Sequence, residues 1–113
     1  MNKHILLITI DSLRADHLSC YREMDIRTPN LDAFAASGVR FRHHLSSLAT
    51  TLPSHTSLLS GCVPSVHGVN WNAVETARRR QTLAEITAAQ GYTTTAITSW
   101  GGFQIQDVLG FQE

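Results

Sequence analysis

Two short clusters in this 113-residue chain have residue types and spacing that could do chemistry: Asp11-Ser12, followed by Arg14, Asp16 and His17, and Thr51-Leu52-Pro53-Ser54-His55. Pro53 lacks an N–H and has φ pre-set near the helical value, so it suits the first position of a helix. Ser57, Leu58 and Leu59 continue that helix, and Gly61 closes it in a left-handed cap. The Thr51 hydroxyl, two residues before the proline, then sits where unpaired backbone N–H groups and the positive dipole end collect anions. A phosphate or sulfate could be held and attacked there. Taken alone, Thr51 or Ser54 reads first as a plain helix cap. A carboxylate such as Asp11 at a strand end and a hydroxyl at a helix start could share a divalent metal. The metal would lower the hydroxyl's pKa and neutralise charge on the attacked group. Asp11 also suits a turn or a helix cap. Oxygen donors favour hard cations, and added histidines would favour zinc or manganese.

The elements that would position these clusters follow from local patterns. Residues 5–10 form a continuous apolar, β-branched run, as in a central parallel strand covered on both faces, with Asp11 just past its carboxyl end. Residues 29–38 predict a short helix started by Thr28 or Asn30, with Leu31, Phe34 and Ala35 on its apolar stripe and Gly38 at its end. Residues 39–45 suit a second strand, and 62–81 a loop. Thr82 and Glu85 form a capping box for another helix, with Leu83 and Ile86 on its buried face and Gly91 at its end. Residues 92–98 suit a further strand. This alternation implies βαβ crossovers and a mostly parallel sheet.

Composition narrows the class of protein. With nine acidic and nine basic residues, the balanced charge removes the main argument for a nucleic-acid or anionic-membrane partner. The basic run Arg78-Arg79-Arg80 is too short for a polybasic patch and suits a solvated loop or helix entrance. No apolar run reaches the roughly 18 residues that span a bilayer. Residues 5–10 are also too short for a secretory signal and lack a cleavage site, so a cytoplasmic location is expected. Cys20 and Cys62 make no metal, redox or disulfide framework. His4, His17, His43, His44 and His67 read as surface or packing residues, since none pairs at a metal-ligand spacing.

The order of motifs resembles the N-terminal part of sulfatases, members of the alkaline phosphatase superfamily. The resemblance rests on Ile10-Asp11-Ser12-Leu13-Arg14-Ala15-Asp16-His17-Leu18, Thr28-Pro29-Asn30-Leu31-Asp32, and Thr51-Leu52-Pro53-Ser54-His55 through Gly61. It continues in His67-Gly68-Val69, Leu83-Ala84-Glu85-Ile86 and Gly91-Tyr92-Thr93, nearly the whole chain. It implies an α/β sandwich with a mostly parallel sheet, acting on small-molecule sulfate or phosphate esters through a metal-assisted nucleophile. By the same resemblance, Asp11 falls on a metal-binding aspartate, and Ser12 falls where many members have a second one. Thr51 falls on the nucleophile and metal ligand, His55 on the arginine that ends that motif, and Asn72 on an asparagine that contacts the anionic substrate.

The departures from the family pattern are informative. Threonine is a secondary alcohol and does not give the formylglycine aldehyde of sulfatases, so Thr51 would act as a metal-activated alkoxide, as in related phosphodiesterases and phosphoglycerol transferases. Ser99-Trp100-Gly101 stands where sulfatases usually carry a lysine and a histidine. Both departures favour phosphoester chemistry. The divalent ion (calcium, magnesium, manganese or zinc) would need ligands from outside this chain. Residues 1–113 are thus expected to be the N-terminal portion of a single catalytic domain, incomplete at its C-terminus and inactive alone. A phosphotransferase or phosphodiesterase using a threonine nucleophile, and a non-catalytic anion-binding remnant of the fold, are the alternatives.

Overall fold

The helix around Pro53 forms, and it begins earlier than the proline suggests. In the computed structural model, which describes residues 3–23, 25–72, 80–99 and 109–112, helix α2 runs Thr51–Ser60 with Thr50 as its N-cap. Pro53 therefore occupies the third helical position. A helix leaves its first N–H groups without intrahelical partners, so a proline there costs no helical hydrogen bond. At the other end Gly61 adopts φ 65°, and its N–H donates to the Ser57 carbonyl. Hydroxyls inside a helix compete for backbone groups, and here they turn onto the preceding turn. Thr56 Oγ1 donates to the Leu52 carbonyl at 2.8 Å and Ser60 Oγ to the Thr56 carbonyl at 2.6 Å. Paired in this way, Thr56 is buried on the same face as Leu52, Pro53, Ser57 and Leu59.

The chain divides into two compact units, Met1–Leu45 and Ser46–Glu113. In the second, α2 packs with α3 (Pro64–His67) and α4 (Leu83–Ala89). Leu52, Leu59, Val69, Ala84 and Leu109 are its buried apolar residues. The expected capping box at α4 is complete. Thr82 Oγ1 accepts from the Glu85 N–H while the Glu85 carboxylate accepts from the Thr82 N–H. Thr82 Oγ1 also donates to the Leu109 carbonyl at 2.7 Å, which ties the 109–112 segment to the helix start. The buried face of α4 is not the expected one: Ala84 is buried, whereas Leu83 and Ile86 are exposed. Helical periodicity defines an apolar stripe but not which neighbour covers it, and here α4 packs with α2 while Ala84 is its buried residue.

The first unit holds α1 (Pro29–Ser37) and a single 3₁₀ turn, Ala15–His17. Pro29 opens α1 and Gly38 follows its end, as expected, although Gly38 is extended rather than left-handed. No described side chain of this unit is fully buried, and Leu31 and Phe34 of the expected stripe are exposed. What ties the start of α1 to the preceding loop is polar. The Ser19 N–H donates to Thr28 Oγ1 and the Thr28 N–H to Ser19 Oγ, while Ser19 Oγ donates to Asp32 at 2.6 Å.

The expected strands at 5–10, 39–45 and 92–98 form no ladder among the described residues. Ile5, Leu6, Leu7, Ile8 and Ile10 are all exposed, as are Val39 and Phe41. A strand exists only through a ladder with its neighbours, and no ladder forms at 5–10 or 39–45 among the described residues. Residues 92–98 come nearest, because the Gln112 N–H donates to the Thr94 carbonyl at 3.1 Å and the Thr94 N–H to Gln112 Oε1. The expected loop at 62–81 contains α3 instead, in its described part. Arg78, Arg79 and the Trp100-Gly101 pair lie outside the described residues. Among the described residues no helix is long and apolar enough to cross a membrane.

Candidate active site

Thr51 is the first residue of α2, half-buried, with its backbone held from the turn above. Its carbonyl accepts from Ser54 Oγ at 3.0 Å and from His55 Nδ1 at 2.9 Å. A carbonyl only accepts, so His55 Nδ1 carries a hydrogen and donates it. Neither Thr51 nor Ser54 is the helix cap: that position belongs to Thr50, which makes no side-chain capping bond. Thr50 Oγ1 is buried and has no hydrogen-bond partner among the described residues.

Asn72 does reach this helix start, and its first contact there is with protein. Its Oδ1 accepts from the Leu52 N–H at 2.9 Å, doing for α2 what a capping side chain does elsewhere. The donors of the α2 start differ accordingly from those of an ordinary helix mouth. Pro53 has no N–H, and the N–H of Leu52 is engaged by Asn72. With Oδ1 committed, the donors that Asn72 has to offer an anion are the two N–H groups of its amide nitrogen. Asn72 at the Leu52 N–H and His55 at the Thr51 carbonyl thus both meet the backbone of the first turn of α2.

Asp11 and Ser12 lie in the first unit, in the turn that follows residues 5–10. Ser12 Oγ donates to Asp11 Oδ2 at 3.3 Å, so the two side chains share one side of the turn. Ser12 has φ 59°, the one positive value at a non-glycine residue among those described. Such a backbone costs an L-residue roughly 1 kcal/mol and is commonest for asparagine and aspartate. Asp16 does not extend the donor set. The Arg14 guanidinium, donating through Nε at 2.9 Å and through a second nitrogen, holds its carboxyl below the usual carboxylate range. Carboxylate and hydroxyl oxygens are the donors a hard cation takes. Yet no group of three or more His, Cys, Asp or Glu side chains converges among the described residues, so these residues alone do not make a divalent-ion site.

His67 is a packing residue, as expected of it, but its partners were not foreseen. It is 1% exposed; Val69 N–H donates to its Nδ1 at 3.1 Å, and its Nε2 lies 2.9 Å from Ser57 Oγ. Burial pushes its pKa below the ordinary 6.5. A sequence signal for α3 does exist, namely Pro64 at a helix start and Gly68, with φ 80°, at its end.

The sulfatase family model matches residues 3–113. The chain is 37% identical over 103 residues to arylsulfatase A of Bos taurus, covering 86% of this chain and 20% of that protein. It is similar also to steryl-sulfatase of Mus musculus (32% over 108 residues, 86% and 17%). A third relative is the multifunctional alkaline phosphatase superfamily protein PehA of Trinickia caryophylli (34% over 95 residues, 80% and 18%). No solved structure matches. The chain belongs to the sulfatase family, and it spans about a fifth of the length of these curated relatives.

Proposed function

We propose that the intact protein is a metal-dependent hydrolase of small-molecule sulfuric or phosphoric esters, with Thr51 as its nucleophile. The observation that carries this reading is that Asn72 and His55 both meet the backbone of the helix turn that Thr51 opens, within a chain that belongs to the sulfatase family. The Thr51 hydroxyl oxygen bonds to phosphorus or sulfur, its proton passing to water, as the ester oxygen leaves with its bonding pair. Water then cleaves the Thr51 ester to release the inorganic anion. Asn72 offers its amide N–H groups to the anion's oxygens. His55, one turn on, orients the Thr51 backbone through the Nδ1 bond.

A secondary alcohol gives no formylglycine, so the covalent intermediate is a threonine ester, and this favours phosphoester substrates. By the resemblance, Asp11 stands at a metal-binding aspartate of the family, and Ser12 replaces a second one. Their donor set is partial, and the remaining ligands come from elsewhere in the intact protein. When bound, the divalent ion lowers a hydroxyl's pKa and neutralises developing charge.

We infer also that residues 1–113 are the N-terminal portion of one α/β catalytic domain whose mostly parallel sheet forms with later segments. The exposed apolar residues Ile5, Leu6, Ile8, Val39 and Ile97, in the stretches with strand patterns, support this, since such surface is ordinarily covered. On this reading the isolated chain is inactive. The test is hydrolysis of aryl sulfate, phosphate monoester and phosphate diester by the intact protein with several divalent ions. Thr51→Ser keeps part of the activity and Thr51→Ala abolishes it; full activity in Thr51→Ala removes Thr51 as nucleophile.

A further inference from the structure

We propose that His67 is a positioning residue for Asn72, its buried imidazole pinning the 68–72 segment along α2 so that the Asn72 amide stays on the turn that carries Thr51. This rests on the reading of Thr51 and Asn72 given above. The segment is attached to α2 at two points: Ser57 through His67 Nε2, and Leu52 through Asn72 Oδ1. Ser57 and Leu52 are five residues apart, about 7.5 Å along a helix. The five residues from His67 to Asn72 could extend about 17 Å. Chain length alone therefore leaves Asn72 a wide choice of positions, and the His67 ring narrows it by holding both Ser57 and the Val69 N–H, with Val69 buried.

The ring's chemistry fixes how the anchor works. The Val69 N–H can only donate, so Nδ1 is the acceptor and Nε2–H donates to Ser57 Oγ. Ser57 and His67 are for that reason not a nucleophile and its base, because the ring's basic nitrogen is already engaged by the backbone. Val69 itself is fully buried, so the anchor and the start of the segment move together. Protonation at Nδ1 would set an N–H against the Val69 N–H and release the anchor. The titratable group on α2 is His55, held at the Thr51 carbonyl, and the Arg80 guanidinium donates to the Val66 carbonyl on α3 at 3.5 Å. Neither supplies a negative charge that would favour imidazolium. The lowered pKa of His67 agrees with this arrangement.

The experiment is amide hydrogen exchange of the ¹⁵N-labelled chain, corrected for intrinsic rates, read at Leu52 with Glu85 of the α4 capping box as a control for folding. As His67 protonates, followed by its own ring resonances, Leu52 protection falls by roughly tenfold, as when one amide hydrogen bond opens, while Glu85 protection holds. His67→Gln keeps a side-chain N–H for Ser57 and cannot protonate, so it makes Leu52 protection independent of pH. Leu52 protection that ignores His67 protonation, or that falls together with Glu85, overturns the proposal. The readout needs no turnover, so it is separable from the nucleophile reading. Leu52 following His67 supports positioning even if Thr51→Ala proves fully active.

Discussion

Two substitutions of Asn72 separate its contribution to folding from the anion binding proposed for it. Alanine removes the oxygen that the Leu52 N–H meets at 2.9 Å, at the start of a helix whose Leu52 side chain is buried. Loss of a capping acceptor costs about 1 kcal/mol, within a range of about 0.5–2. For a unit of this size that lowers Tm by roughly 4–8 °C per kcal/mol. Aspartate keeps an acceptor oxygen and adds a negative charge at the helix N-terminus, which stabilises by about 0.3–1 kcal/mol. Asn72→Asp should therefore melt at or above the wild-type temperature, and Asn72→Ala below it, in thermal unfolding followed by circular dichroism at pH 7. Binding should run differently. Both variants lose the amide N–H donors, and aspartate also repels the anion, so affinity for inorganic phosphate in the intact protein falls most in the more stable variant. If Asn72→Asp melts as low as Asn72→Ala, the capping role of Asn72 is refuted.

Three further outcomes follow from named contacts. His67 is neutral when folded and has its pKa lowered by burial, so below about pH 6.5 the unfolded chain binds the extra proton. Stability should fall as pH drops below that value, and urea midpoints against pH should flatten there in His67→Gln; an unchanged slope contradicts the assignment. Gly110 has φ 75°, and a Cβ there would lie 2.5 Å from Glu85 Cγ. Gly110→Ala should lower stability by more than about 1 kcal/mol and disturb the Thr82–Glu85 box; a melt like the wild type's would count against this packing. Asp32 accepts from Ser19 Oγ and Thr28 Oγ1. Asp32→Ala should cost about 1–2 kcal/mol locally and speed limited proteolysis between residues 19 and 32, whereas unaltered cleavage would show that the polar tie is dispensable.

Local codes were legible in this chain, and tertiary ones were not. Gly61, the Thr82–Glu85 box and the Pro29 helix start act within one or two turns, and each forms where the pattern puts it. The start of α2 was displaced because proline is tolerated at several first-turn positions. α3 is framed by Pro64 and Gly68 but is only four residues long, too short for an apolar period. Apolar runs such as 5–10 indicate a strand only where a ladder forms. Periodicity does not name the covering neighbour, so Leu83 and Ile86 fit the pattern yet are exposed. At the candidate site, motif order names Thr51, His55 and Asn72 as candidates. That Asn72 caps Leu52 was not legible, since the contact joins residues 20 apart. The His67–Ser57 bond was hidden for the same reason, with 10 residues between its partners.

The central claim is that Thr51 carries the covalent chemistry, and trapping tests it most directly. The intact protein, supplied with a divalent ion and a phosphate or sulfate ester, is quenched in acid during turnover and its peptides are analysed by mass spectrometry. The account predicts a phosphoryl or sulfuryl adduct on Thr51, absent in Thr51→Ala. Turnover without any adduct on Thr51, or an adduct on another residue, would contradict it.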